Sequence, residues 1–441
     1  MKKSTFSFLA LIVVALAANG SGGQTMNVDA CAEKYVKLAL AVGAYAPGYI
    51  DAYYGPEKWL VKHDDGVPRR GFPAAGFRTE ADAILKDLDA TVRTQMSPVE
   101  KLRIEFLRKQ MIAVHSEIQV LGGRKFTFDR ESRLFYDAVA PVIKKDEFEK
   151  TIVELEAALP GPGSLQEKLA SLRKEFVIPA AKLPAVFDAA IAECRRRTLA
   201  RVELPKKESF KAVYVKDKPW GAYNWYKGNA FSVIEVNTDL PMSIDSPVRL
   251  AAHEGYPGHH VYNVLLEQKL VKEKGWIEFT VYPLFSPQSL IAEGTANYGI
   301  ELIFPDAERE KFVRDVLYPL AGLDPQKAER YDRVLKLLEG LRYAENEAAR
   351  NYLDGGFSRE KALAWLGRYS LESPERAAKT VDFWNTYRSY IINYNLGQDI
   401  IKRYIEKTGG PDAGLERKWQ IFCDILSTPR TPSGLQKLEE K

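Results

Sequence analysis

The sequence is poor in cysteine and histidine, and it has no long run of apolar residues or of like charges. Three cysteines in 441 residues, Cys31, Cys194 and Cys423, are too few and too scattered for a disulfide framework. None has a histidine nearby that would mark a thiol nucleophile. No block of five or six like charges occurs and the formal net charge is only +4, so no nucleic-acid or anionic-membrane partner is expected. No apolar stretch reaches the roughly 20 residues that a membrane-spanning helix needs. Internal repeats and low-complexity tracts are also missing. What remains is an ordinary folding composition, 46% hydrophobic and 28% charged. The length exceeds that of a usual single core and points to one two-lobed domain or two domains.

The N-terminus carries an export pattern. Lys2 and Lys3 precede a weakly polar to apolar run from Phe6 to Ala18, followed by small and polar residues, as in a secretory signal. Ala15-Leu16-Ala17 is the expected cleavage site, so residues 1–17 form the signal and Ala18 begins the mature chain. The protein is expected to be exported, periplasmic or secreted, with no stable membrane span after cleavage. Cys31 lies too far beyond the apolar run to be a lipidation site.

Helix punctuation dominates the rest. Ser97-Pro98-Val99-Glu100 reads as a capping box, followed by Leu102, Phe106, Met111, Val114, Ile118 and Leu121 at helical spacing up to Gly122-Gly123. Ser164-Leu165-Gln166-Glu167 opens another helix, and a further one is expected from Leu183 to about Arg201. Ser373-Pro374 starts a long pattern lasting to Gly409-Gly410, with a bend expected near Gly397. Only Phe210 to Asp239, rich in Val, Tyr, Trp and Phe, reads as sheet, in two or three short antiparallel strands. Residues 203–209 are the expected boundary between an N-terminal helical lobe (27–205) and a C-terminal one (206–441).

Five histidines occur: His63, His115, His253, His259 and His260. Three of them fall in His253-Glu254-Gly255-Tyr256-Pro257-Gly258-His259-His260, preceded by Ser246-Pro247 as helix start. A catalytic zinc takes three protein ligands, often His, His and Glu, and keeps a position for water. The ion lowers the pKa of that water to about 7, and a neighbouring carboxylate can accept its proton. The common helical form, H-E-x-x-H, sets its histidines at i and i+4. Here His259 follows His253 by six residues, about 600° of regular helix, and His260 is about 10.5 Å further along the axis. Neither meets His253 on a straight helix. Pro257 must break the helix because it cannot donate to the His253 carbonyl and clashes there. A bulge across Gly255–Gly258 would return His259 to the i+4 place. His259 is therefore the first choice for second ligand and His260 the alternative.

A second helix from Ser286-Pro287 presents Glu293, Asn297 and Glu301 on one face. Glu293 is the expected third ligand, with Glu301 supporting or structural. Tyr394 or Tyr298 is expected to stabilise an oxyanion. Arg350 is weighed as a substrate-carboxylate anchor against a surface ion pair. His115 is read as packed, His63 as surface loop, and Tyr223, Trp225 and Tyr226 as sheet packing.

These residues resemble a bacterial family catalogued as domain of unknown function eight-eight-five. The likeness rests on His253-Glu254-x-x-Pro257-Gly258-His259-His260 with Glu293-Gly294 and Tyr298. It extends to Pro47–Pro56, Asn237–Pro241, Ala349–Gly356 with Ser358–Ala362, and Tyr394-x-x-Gly397-Gln398. Two positions depart from the family pattern: Thr295 stands where many members have a large aromatic, and Phe357 where several have His. The resemblance implies a relative of helical zinc peptidases with a glutamate third ligand: His253, His259 and Glu293 as ligands, Glu254 as base. The extended histidine spacing has a parallel in the dipeptidyl peptidase III type, with one residue inserted. The expected fold is mainly α, a two-lobed helical zincin-like domain with a small antiparallel sheet beside the active-site helix. The expected function is Zn2+-dependent hydrolysis of a short peptide substrate, with Glu254 and Tyr394 catalytic. The competing expectation is an exported metal-binding or scaffold protein without turnover.

Overall fold

Serine side chains start three of the helices where the sequence puts their signals, at Ser97, Ser164 and Ser373. The computed structural model describes residues 28–61, 71–91, 96–218, 220–239, 241–305 and 307–437; the signal segment, His63, Pro219 and Leu240 lie outside them. Helices α1 (Val28–Gly43), α2 (Ala74–Asp89) and α3 (Pro98–Leu121) come first. At the start of α3 the Glu100 N–H donates to the Ser97 hydroxyl at 3.4 Å, and the Ser97 N–H donates to the Glu100 carboxylate at 2.8 Å. Gly122 ends it, as expected. Next come α4 (Phe128–Tyr136), α5 (Lys145–Ala158), α6 (Leu165–Lys174) and α7 (Leu183–Leu199). Ser164 and Glu167 form a capping box at the expected start of α6. Helices α1 to α3 share a core that includes Tyr35, Ile84, Leu107 and Met111. A larger core takes residues from both sides of position 205, from Phe106 through Val261 to Leu435. No disulfide joins the cysteines; all three are free.

The protein is mainly helical, with two small sheets. Strands β1 (Ile50–Tyr53), β2 (Ser209–Val215), β3 (Ala222–Tyr226), β4 (Phe231–Asn237) and β5 (Val281–Pro283) make them. The three-stranded sheet lies where the Phe210–Asp239 segment predicted, but it is mixed. Its order is β2-β4-β3, with β4 antiparallel to β3 and parallel to β2. Burial explains the order. Ser232, Ile234 and Val236 alternate as buried residues along β4, whereas β2 buries none. The most buried strand takes the centre, and two chain reversals leave it parallel to β2. The pair β1-β5 was not expected, because its strands are far apart in sequence and carry no local hairpin signal.

Helices α8 (Ser246–Leu250), α9 (His259–Leu266) and α10 (Pro287–Ile303) carry the histidine and glutamate motifs. Asp245, not Ser246, occupies the cap position of α8. Helix Ile392–Gly409 runs unbroken through Gly397, where a bend was expected. The long C-terminal pattern breaks instead at Arg388, whose φ is +50°, between helices Pro374–Tyr387 and Ile392–Gly409. Glu131 fixes that break, accepting from the Arg388 guanidinium at 2.5 Å and from the Ser389 N–H at 3.1 Å. Gly397 serves a different purpose: it lets helix Ile392–Gly409 cross α10 backbone to backbone. A Cβ at Gly397 would lie 2.7 Å from the Leu290 carbonyl oxygen and 3.0 Å from the Gly294 Cα. Among the described residues, no helix is long and apolar enough to cross a membrane.

Substituting Gly397→Ala is therefore expected to cost about 1–3 kcal/mol in chemical denaturation. Gly76→Ala, an exposed α2 position where a Cβ meets nothing within 4 Å, is expected to gain about 0.5–1 kcal/mol. Equal effects of the two would contradict the close crossing.

Candidate metal centre

The centre begins with the chain break that the proline demands. Beyond α8 the backbone widens into a π turn over Ala251–Gly255, closed by the Tyr256 N–H donating to the Ala251 carbonyl at 3.0 Å. Such single turns often mark functional sites. The Tyr256–Pro257 peptide is cis, and α9 starts afresh at His259 with Gly258 at its cap. Gly258 is required sterically: a Cβ there would lie 1.7 Å from the His253 carbonyl oxygen.

This doubling-back brings His253 and His259 together. Their Nε2 atoms are 3.1 Å apart. Glu293 Oε2, from α10, lies 3.2 Å from His253 Nε2 and 3.7 Å from His259 Nε2. Ligands held by a tetrahedral zinc at about 2.0–2.2 Å are spaced by about 3.3 Å, so the triangle fits such an ion. A second observation agrees. Glu293 Oε2 is buried and receives no hydrogen bond of good geometry from any group among the described residues, which suits an oxygen facing a cation.

Neighbouring side chains aim the three ligands. Asn297, one turn beyond Glu293, accepts from His253 Nδ1 at 3.0 Å, which leaves Nε2 for the centre. The Asn297 amide in turn donates to the Tyr394 carbonyl at 2.8 Å. The Tyr390 hydroxyl donates to Glu293 Oε1 at 3.0 Å. Asn224 on β3 donates to the Glu254 carbonyl at 2.7 Å and ties the sheet to the break.

His260 faces away and both its ring nitrogens are engaged. Nε2 is 3.0 Å from Glu208 Oε2 and Nδ1 is 2.9 Å from Ser232 Oγ. Glu208 also accepts from the Tyr256 hydroxyl at 2.7 Å and pairs with Arg195 at 2.5 Å. Burial pushes the Glu208 carboxyl up, but hydrogen bonds from His260, Tyr256 and Arg195 outweigh it and bring the pKa to about 2. His260 thus buttresses the start of α9 while His259 faces His253.

Burial sets the electrostatics of the centre. It depresses the His259 pKa to about 4, keeping that ring neutral. Burial acts in the same sense on His253, but contact with Glu293 and the charge of Glu254 raise its pKa overall. Glu293 is correspondingly lowered, its histidine contacts outweighing burial. Burial raises Glu254 to about 7. No donor among the described residues is hydrogen-bonded to its carboxyl group.

Other candidates fall outside the centre. Tyr298 packs on Phe422, with ring centroids 6.2 Å apart. Glu301 pairs with Lys402 at 2.8 Å and accepts from Gln398 at 2.6 Å, a structural role. Arg350 is buried, not a surface residue. It bonds Asp129, Glu347 and the Ala140 carbonyl at 2.6 to 2.9 Å, so it is committed inside the protein. Thr295 is buried and turns its hydroxyl back to the Ile291 carbonyl at 2.8 Å. His115 is half-buried, 3.2 Å from Asp82. Tyr394 does lie beside the centre: burial, then the charges of Glu293, Glu345 and Glu254, lift its pKa well above the usual phenol value.

The sequence reading missed two residues that bear on the centre. Tyr390 gave no signal among 22 tyrosines. Asp51 on β1 comes within the field of the centre, where burial and the charges of Glu293 and Glu254 raise its pKa to about 7.

No family model matches the chain, and no curated protein matches it. Among solved structures, a candidate lipoprotein of Colwellia psychrerythraea superposes with a TM-score of 0.54 at 14% identity, over 83% of this chain and 67% of that one. A candidate lipoprotein of unknown function from Shewanella oneidensis gives 0.46 at 15% identity, over 83% and 71%. The Colwellia likeness shows a shared fold.

Two pH experiments follow. In metal-free protein the folded state keeps the Glu254 proton up to pH about 7, whereas the unfolded chain releases it near 4.5. The native state binds more protons across that window, so stability falls as pH rises through it. Glu254→Gln removes the fall and is expected to be more stable than wild type by up to about 3 kcal/mol above pH 7, with no difference below the unfolded pKa. For zinc, calorimetric titration is expected to show affinity weakening as pH falls and His253 gains its proton, with protons released on binding. A pH-independent affinity would contradict ligation by His253.

Proposed function

We propose that this chain is a zinc-dependent hydrolase, a peptidase acting on short peptides, with His253, His259 and Glu293 as ligands and Glu254 as general base. The observation that carries the reading is the approach of the three ligand atoms to within 4.8 Å of one another, directly beside a buried carboxyl group. Zinc, when bound, supplies a Lewis acid for a carbonyl oxygen and lowers the pKa of water to about 7. Peptide hydrolysis adds hydroxyl to the carbonyl carbon and a proton to the leaving nitrogen. The Glu254 carboxylate, next in sequence to the ligand His253, would accept that proton from water and return it to the amine.

Tyr394 is assigned to the developing oxyanion: its phenol keeps its proton and remains a donor. Among the described residues, strand β3 is an edge strand, hydrogen-bonded within its sheet only to β4, and an edge strand suits an extended peptide. The resemblance to the bacterial domain-of-unknown-function family supports the same ligands and base. The basic and apolar N-terminus supports export to the periplasm or beyond, in keeping with the description of the Colwellia protein as a candidate lipoprotein.

Mass spectrometry of purified protein is expected to find about one zinc per chain, the stoichiometry of a single three-ligand site, lost in His253→Ala and in Glu293→Ala. Glu254→Gln is expected to retain the metal while kcat on peptides drops by about 10²–10⁴-fold. Metal retained with no peptide turnover in wild type would favour a metal carrier. Failure to bind added zinc would overturn both.

A further inference from the structure

Asp51 has no part in the reaction proposed above, yet its surroundings are those of a binding group. It is the extra residue of a β-bulge: β1 pairs with β5 as Ile50 with Pro283 and Ala52 with Tyr282, and the register shifts between them. Bulges re-aim side chains and are frequent next to active sites. Its hydrogen-bond partner is neutral, the Tyr223 hydroxyl on β3, which donates to Oδ1. No lysine or arginine among the described residues forms an ion pair with it. Lys227, whose charge does act on Asp51, lies over the Trp225 ring, 5.3 Å from its centroid. Asn224, next to Tyr223 on β3, donates to the Glu254 carbonyl, so one strand reaches both Asp51 and the metal centre. Tyr223 belongs to an aromatic group, with its ring centroid 4.6 Å from Trp225 and 5.2 Å from Trp220.

Glu254 and Glu293 have tasks in the proposed reaction, and Asp51 has none. Asp51 is a half-buried carboxylate held by one neutral hydroxyl and with no ion-pair partner among the described residues. We propose that Asp51, braced by Tyr223, binds the free α-ammonium group of a short peptide substrate. This rests on the hydrolase reading and names its substrate class: peptides with an unblocked amino terminus, held by that end beside the ligand triad. An ammonium ion gives Asp51 charge-assisted hydrogen bonds, and the neighbouring aromatic faces favour a cation.

The test compares trialanine with N-acetyl-trialanine and with an N-acetylated peptide containing lysine. Binding is measured by calorimetry on zinc-loaded Glu254→Gln protein, and turnover on wild type. Trialanine is expected to bind about 10–100-fold more tightly than either blocked peptide, a charged hydrogen bond's contribution. Asp51→Asn, which keeps an acceptor for Tyr223, is expected to erase that preference by raising KM with kcat little changed. Tyr223→Phe is expected to reduce it in part. Equal binding of free and blocked peptides, or an unaltered preference in Asp51→Asn, would overturn the proposal. A preference that follows the lysine side chain would overturn it too. Loss of turnover with the binding preference intact would instead fault the hydrolase reading and leave the ammonium site standing.

Discussion

The contact on which the site depends is the one between Gly258 and the His253 carbonyl, too close for any side chain. A regular helix cannot bring residues six apart to a common point. The π turn, the proline and this glycine together fold the chain back within one short segment, and only then do two imidazoles face each other. Everything else supports that reversal. Asn224 holds the Glu254 carbonyl, Glu208 and Ser232 hold His260, and Asn297 holds His253.

The supports come from distant parts of the chain, and that decides what could be read in advance. Helix starts at Ser97, Ser164 and Ser373 were legible because a cap and its partner are three residues apart. The histidine cluster was legible because histidine is scarce here and the proline forces a break. The choice between His259 and His260 depended on Glu208 and Ser232, which no spacing rule connects to them.

Misreadings share the same cause. The break after Tyr387 is fixed by Glu131, far back in sequence, while Gly397, which looks locally like a hinge, is a packing site. The sheet was placed correctly by composition, but its strand order follows which strand buries an alternating face. Asp51 drew no attention as a functional residue because its importance comes from a bulge against β5, a long-range pairing with no local signal.

The helix crossing at Gly294 and Gly397 has a mechanical consequence. Where two backbones touch with no side chain between them, there is no compressible layer and little room to slide. The phenols of Tyr390 and Tyr394 are thus held in fixed relation to Glu293, and this wall of the centre is stiff.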